Sequence, residues 1–190
     1  MVPTLFLSIA KNTILEHFSL ASGADKESCI KKEPLLGEEG ASFVTLHKNG
    51  TLRGCIGSVL AHRSLFDDIV ANTLSAALHD PRFPPLKHAE LSSLDVEVSI
   101  LTPPEEIHYD DYEDLCKKIV VGKDGLILQH GAHQGTFLPQ VWEQLPNVYE
   151  FLEQLSYKAG SSPDIYALHP KLFRYRVKAI EESFDAIPSL

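Results

Sequence analysis

The chain has 190 residues, 44% of them hydrophobic, which is enough for one compact domain or two small lobes around a sizeable core. Lys and Arg number 17 against 26 Asp and Glu, and the net charge of −9 opposes phosphate backbones at long range, so non-specific nucleic-acid binding is disfavoured. Three widely spaced cysteines, Cys29, Cys55 and Cys116, with no CxxC pair, argue against a disulfide scaffold and a structural zinc site and fit a reducing compartment.

Met1-Val2-Pro3-Thr4 lacks the basic region of a signal peptide, and no apolar run approaches the ~20 residues of a membrane span, so the expectation is a soluble, cytoplasmic protein. Residues 4–20 predict a helix, in which Leu5, Ile9, Asn12, Thr13, Phe18 and Leu20 form an imperfect stripe that Ile14 and Leu15 widen. Residues 21–33 are polar and read as an exposed, mobile connection, and Pro34 keeps Glu33 out of a helix. The runs Phe43-Val44-Thr45-Leu46 and Thr51-Leu52-Arg53-Gly54-Cys55-Ile56-Gly57 flank Asn49-Gly50. Asn-Gly between strands signals a hairpin, because a type I′ turn needs positive φ at both central residues. A two-residue loop sets Lys48 opposite Thr51, Leu46 opposite Arg53 and Val44 opposite Cys55. Alternation then places Arg53 and Cys55 on one face beside Val44 and Leu46, with Phe43, Thr45, Leu52 and Ile56 on the other.

Ser64 can cap the next helix, whose core stripe is Leu65, Phe66, Ile69, Val70, Thr73, Leu74, Ala77 and Leu78. It ends at Asp80-Pro81, and three prolines within residues 81–85 hold the following loop extended and stiff. Residues 88–94 read as a short helical turn. Residues 95–100 alternate cleanly, with Val96, Val98 and Ile100 inward, and Pro103-Pro104 follows. Residues 109–118 predict a short acidic helix. Residues 119–121 and 126–128 flank Gly122-Lys123-Asp124-Gly125 as a second hairpin; residues 131–134 turn again, and 135–138 return. Pro139 opens a helix, residues 148–158 form an amphipathic one stopped by Gly160, and Ser162-Pro163-Asp164 starts a brief one. Residues 172–180 predict one last strand, with Phe173, Tyr175, Val177 and Ala179 on one face and Arg174, Arg176 and Lys178 on the other. Hairpins interspersed with helices argue an α+β fold with a largely antiparallel sheet.

Arg53 and Cys55 are the strongest chemical clue. A guanidinium stays charged in any protein environment and favours the thiolate of a neighbouring cysteine, its nucleophilic form. Gly54 and Gly57 remove side chains there, which leaves room for a ligand or another backbone. The competing reading makes Cys55 a small buried hydrophobe and pairs Arg53 with a structural carboxylate. In the stiff loop, Arg82 suits contact with an anion or a partner chain; the competing reading is a rigid connector with Phe83 plugged into the core.

Other constellations are weaker. His130 and His133 have a zinc-compatible spacing but no third ligand nearby, so no metal is assigned. Free N–H groups at Pro139, with the Thr136 hydroxyl, can form an anion site, although a simple capped helix competes. Lys171, Arg174, Arg176 and Lys178 make a basic stripe that could meet RNA phosphates or an acidic protein, against a merely solvated face. Gly37-Glu38-Glu39-Gly40 carries carboxylates where a phosphate would sit, so ATP, NAD and flavin have no support and no cofactor is expected.

Leu52-Arg53-Gly54-Cys55-Ile56-Gly57 resembles the signature hexapeptide of the AMMECR family, and two further stretches agree in order and spacing: Asp80-Pro81-Arg82-Phe83-Pro84-Pro85-Leu86 and Gly135-Thr136-Phe137-Leu138-Pro139-Gln140-Val141-Trp142. The resemblance runs over residues 5–182 and is nearest to the prokaryotic members of the AmmeMemoRadiSam system. It implies an α+β fold of two unequal lobes packed on a shared core within a single domain; the lobe boundaries are not readable from the sequence, and the seam is placed near the hexapeptide by inference alone. It implies association with a Memo-like protein and a radical-SAM protein in a shared modification pathway, but no assigned activity. Gln134 stands where the family pattern has an arginine, so an anion-binding role at that position does not transfer. Two functions follow. One is an enzyme with Cys55 as nucleophile, Arg53 lowering its pKa, and Arg82 or Thr136 holding an anionic or nucleic-acid-derived substrate. The other, preferred because no complete catalytic set assembles, is a non-catalytic partner whose hairpin and loop 80–86 (Gly54, Gly57, Asp80, Arg82, Phe83) form a rigid docking surface.

Overall fold

The computed structural model describes residues 3–190. Along the chain run α1 (Pro3–His17), α2 (Lys26–Lys32), β1 (Ala41–Lys48), β2 (Thr51–Gly57), α3 (Leu65–Leu78), β3 (Leu94–Leu101), β4 (Glu105–Ile107), α4 (Tyr112–Lys118), β5 (Gly125–His130), β6 (His133–Phe137), α5 (Val148–Lys158), β7 (Lys171–Tyr175) and β8 (Val177–Ser183). They divide into two compact units: the residues up to Leu101 with Lys178–Leu190, and Thr102–Val177. The chain crosses between units after Leu101 and after Val177, and the hexapeptide lies within the first unit.

In the first unit the strands are ordered β2-β1-β3-β8, with β1 antiparallel to both β2 and β3. Asn49 and Gly50 take φ of 52° and 74°, as the expected turn requires. Helix α3 is capped by Ser64, whose hydroxyl accepts from Asp67 N–H, and lies against β1 and β2; α1 lies against α3 and β3. Phe6, Ile9, Val44, Leu46, Ile69, Val96 and Val98 are at the centre of the core. Every residue from 5 to 14 is buried, so α1 has no solvated face and shows no clean stripe. The helix stops at His17 instead of residue 20, because Ser19 takes a left-handed φ of 57° and Leu20 is exposed. Residues 21–33, expected as a mobile connection, contain α2. Asp25 caps it by accepting from Ser28 N–H at 2.7 Å, and its only buried side chain, Cys29, leaves no periodic apolar signal.

In the second unit the order is β4-β7-β5-β6, every pair antiparallel. Its own core gathers Leu115, Leu126, Leu128, Phe151, Leu152 and Leu172 around Trp142. The indole stacks on Phe151 with centroids 3.7 Å apart and donates to the Asp124 carbonyl at 2.8 Å. The expected hairpin around residues 122–125 is a turn leading into β5: Asp124, fully buried, accepts from Val120 N–H and closes it. The true hairpin joins β5 to β6 through Gly131, at φ 58°. Strand β4 follows Pro103-Pro104, where no strand was expected. The single run of residues 172–180 is two strands on either side of Arg176, one in each sheet. Leu172 and Tyr175 are the buried side chains of β7 and Ala179 is exposed, so the expected apolar face does not exist. Both units pair antiparallel strands under separate helices, and the fold is α+β, as expected. Among the described residues no helix is long and apolar enough to cross a membrane.

Candidate functional site

Strand β2 leaves the expected register at Arg53. Leu52 opposes His47, but Gly54 opposes Leu46, Cys55 opposes Thr45 and Ile56 opposes Val44. Arg53 is the extra residue of a β-bulge, and beyond it each side chain changes face. The expected pairs Leu46–Arg53 and Val44–Cys55 are therefore corrected. Cys55 faces Thr45, whose hydroxyl donates to Sγ at 3.3 Å, and the thiol is half-buried.

The bulge sends Arg53 to a carboxylate. Its Nε and Nη2 donate to the two oxygens of Glu90, each at 3.1 Å, and Nη2 also donates to the Pro84 carbonyl at 2.9 Å. Glu90 further accepts from Lys48 Nζ at 2.9 Å and from Lys87 N–H at 2.9 Å. The Arg53 guanidinium, with Lys48 and the Lys87 amide adding and burial opposing, holds the Glu90 carboxyl down at about 2. Of the two readings of Arg53, pairing with a carboxylate is the one this geometry contains.

The guanidinium at Cys55 is that of Arg82. Asp80, which is buried, accepts Cys55 N–H at 2.9 Å, Arg82 N–H at 3.1 Å, Arg82 Nε at 2.9 Å and Arg82 Nη2 at 2.7 Å. Arg82 Nη2 returns to the Cys55 carbonyl at 3.1 Å. The Arg82 side chain holds the Asp80 carboxyl well below the usual carboxylate range. Asp80 first, with Cys55 also contributing, keeps Arg82 more firmly protonated than an isolated arginine. Loop 80–86 is thereby clamped to β2 through both backbone groups of Cys55. Phe83, half-buried, lies 5.5 Å from the Arg82 guanidinium carbon and 5.9 Å from that of Arg53.

Gly54 and Gly57 do not leave room for a ligand. A Cβ on Gly54 would stand 2.2 Å from the Ala76 carbonyl oxygen, and one on Gly57 would stand 2.2 Å from the Phe43 ring. The first glycine admits helix α3 and the second an aromatic side chain of β1.

The remaining expected residues lie elsewhere. Thr136 belongs to the second unit, where its hydroxyl donates to the Leu126 carbonyl at 2.9 Å and sits 3.3 Å from Tyr175 OH. The segment from Pro139 is a five-residue 3-10 turn, too short for the expected anion site. The basic stripe is broken up: Arg174 donates to the Lys118 carbonyl and stands 3.6 Å from Glu105, while Arg176 donates to Asp124 at 3.2 Å. His130 and His133 face each other across the β5–β6 hairpin, and among the described residues no three His, Cys, Asp or Glu side chains converge as a metal site needs.

Sequence reasoning missed Glu90, Lys48 and Thr45. Only Glu90 carried a signal, an acid at the third position of a helical turn. It also missed Asp68, fully buried on α3, which accepts from Ser42 N–H, Ser42 Oγ, Asn72 Nδ2, Ser58 Oγ and Arg63 Nε, all at 2.8 Å. That network ties the stretch after β2 to β1 and α3.

The family profile of AMMECR1 matches residues 7–180. A protein of Thermococcus onnurineus is 40% identical over 191 residues, spanning 95% of this chain and 90% of that one. A protein of Methanosarcina barkeri is 46% identical over 142 residues, spanning 74% of this chain and 70% of its own length. The crystal structure of an uncharacterised protein of Pyrococcus horikoshii superposes with a TM-score of 0.78 at 33% identity, covering 98% of this chain and 94% of that one.

Proposed function

The chain belongs to the AMMECR1 family, and on that premise we propose that it is a non-catalytic partner subunit acting in the cytoplasm with Memo-like and radical-SAM proteins in a modification pathway. Its docking surface is the hexapeptide hairpin with loop 80–86. One observation carries this reading: Asp80 accepts hydrogen bonds from Cys55 and Arg82 backbone and side chain, fixing the loop on β2 and presenting Arg82, Phe83 and the following prolines in one geometry. Preorganisation of this kind lowers the entropy lost on association. Cys55 Sγ accepts from the Thr45 hydroxyl, and the carboxylate nearest in the network, Asp80, is engaged by the Cys55 and Arg82 N–H groups and the Arg82 guanidinium.

The test is titration of this chain with the purified Memo-like and radical-SAM proteins by calorimetry. Arg82→Ala and Phe83→Ala are expected to weaken binding by roughly tenfold or more, as anchors at the centre of an interface do, and Cys55→Ser to leave it unchanged. Absence of binding to either protein, or binding untouched by both loop variants, refutes the reading. A second reading, Cys55 as nucleophile on an anionic or nucleic-acid-derived substrate, draws on the half-exposed thiol beside Arg82. Retained binding with lost pathway activity in Cys55→Ser would select it.

A further inference from the structure

We propose that Arg53 is an oxyanion receptor beneath Phe83, and that the partner is recognised there through a carboxylate side chain. The inference rests on the docking reading and names the chemistry the partner must present. Arg53 is about nine-tenths buried, and its guanidinium gives Nε and Nη2 to Glu90 and the second Nη2 proton to the Pro84 carbonyl. Nε and Nη2 face Glu90, and the trigonal geometry of the group turns Nη1 to the opposite side. There Nη1 is closed off from solvent and has no hydrogen-bond partner among the described residues. A buried guanidinium nitrogen without an acceptor bears the full desolvation of its protons, so this is a donor built for an acceptor that the chain itself does not supply.

Charge identifies that acceptor. Lys48 and Arg53 share the single carboxylate of Glu90, so this cluster retains one positive charge. Arg82 does not add to the excess, because Asp80 neutralises it. The excess stands out on a chain whose net charge is −9. A monoanionic carboxylate offers Nη1, the one guanidinium nitrogen left without an acceptor, an oxygen of the matching charge, whereas a phosphate dianion would reverse the charge. Phe83 is the aromatic cover, its ring 5.9 Å from the Arg53 guanidinium carbon, and it sits on the loop already assigned to docking. On this proposal Phe83 must turn aside for a carboxylate to reach Nη1.

The test uses the whole protein with arginine side chains labelled by nitrogen-15, titrated with blocked glutamate (N-acetyl-glutamate methylamide), blocked glutamine and inorganic phosphate. Blocked glutamate is expected to move the Arg53 Nε–H resonance with a dissociation constant on the order of millimolar, while blocked glutamine does not move it. Phe83→Ala removes the cover and is expected to tighten binding of this small probe roughly tenfold, while the protein partner, which packs on the Phe83 ring, still binds more weakly. Arg53→Lys, which has no Arg53 resonance to follow, is titrated by calorimetry instead and is expected to give no glutamate-binding heat. Equal effects of glutamate and glutamine, binding heat that survives Arg53→Lys, tighter binding of phosphate than glutamate, or unchanged affinity in Phe83→Ala would each overturn the proposal. Phe83→Ala leaves the Arg53–Glu90 pair intact, so the test stands even if Arg53→Lys fails to fold. A partner complex that forms but ignores Arg53→Lys refutes the receptor and spares the docking surface. Glutamate binding without any partner complex does the reverse.

Discussion

Gly54→Ala tests how tightly the hexapeptide is built against α3. The added Cβ would lie 2.2 Å from the Ala76 carbonyl oxygen and 3.1 Å from its carbon, where contacts under 3.0 Å essentially do not occur. Relief requires β2 to retreat from α3 by about 1 Å, since the obstacle is helix backbone and cannot rotate away. Overpacking of this kind costs about 1–3 kcal/mol, and a backbone obstacle puts the cost near the upper end. Replacing glycine also stiffens the unfolded chain, which returns about 0.4–1 kcal/mol. The net loss is about 2 kcal/mol, and at roughly 2–4 °C per kcal/mol for a chain of this size the Tm falls by about 4–8 °C. Differential scanning calorimetry reads this directly. An unchanged or raised Tm would mean that α3 and β2 have slack between them, and the tight packing argued for the hairpin would be wrong.

Glu90→Gln leaves a buried arginine without its carboxylate and should cost about 3 kcal/mol in urea unfolding; a loss below about 0.5 kcal/mol, the range of an ordinary surface change, refutes the buried pair. Because Glu90 titrates at about 2 in the folded chain, below its ordinary value, its contribution is complete above the unfolded pKa of about 4.3 and is lost as pH falls through about 2. The acid limb of stability against pH should therefore be shallower in Glu90→Gln than in wild type, and parallel limbs would contradict the assignment. Asp80→Ala removes the acceptor of the Cys55 amide, so hydrogen exchange at Cys55 N–H should accelerate while amides in the core of β3 stay protected; uniform acceleration would point to global destabilisation instead. Alkylation of Cys55 by iodoacetamide should slow in Arg82→Leu and stay unchanged in Arg53→Lys, because the guanidinium beside Cys55 belongs to Arg82; the opposite ranking would restore the pairing of Arg53 with the thiol.

The hairpin was legible because its cause is local: Asn49 and Gly50 supply the two positive φ angles themselves. Its register was not, because the bulge at Arg53 is decided by what Arg53 reaches, and Glu90 is 37 positions away. Gly54 promised room for a ligand or another backbone, and the backbone of α3 is what approaches it; the bulge beside it had no such signal. Loop 80–86 was readable as stiff from its prolines, but its attachment to Cys55 rests on hydrogen bonds spanning 25 and 27 positions, which no periodicity encodes. Helix α2 was missed because a seven-residue helix burying one cysteine produces no stripe. The last run was read as one strand because alternation reports exposure, not which sheet a residue joins; the break at Arg176 shows only when partners on both sides are known. The α+β class was legible throughout, since hairpins and helices each carry their own short-range signal.

The clamp on Cys55 also decides how this edge can be recognised. Strand β2 lies at the margin of its sheet, and a bare margin invites another strand to pair with it. At Cys55 the outward N–H goes to Asp80 and the outward carbonyl to Arg82, the two bonds a fifth strand would make there. The Arg82 side chain is 53% exposed, so its attraction to Asp80 alone contributes only about 0–1 kcal/mol. The stronger reason for the pair is that it satisfies backbone groups that would otherwise need a strand. With the backbone taken at Cys55, what this edge offers is side chains: the exposed Arg82 guanidinium and Phe83, whose ring lies 5.9 Å from the Arg53 guanidinium carbon. Strand addition at Cys55 requires the Asp80–Arg82 clamp to open first, and on the docking reading proposed above recognition at this edge is by loop chemistry.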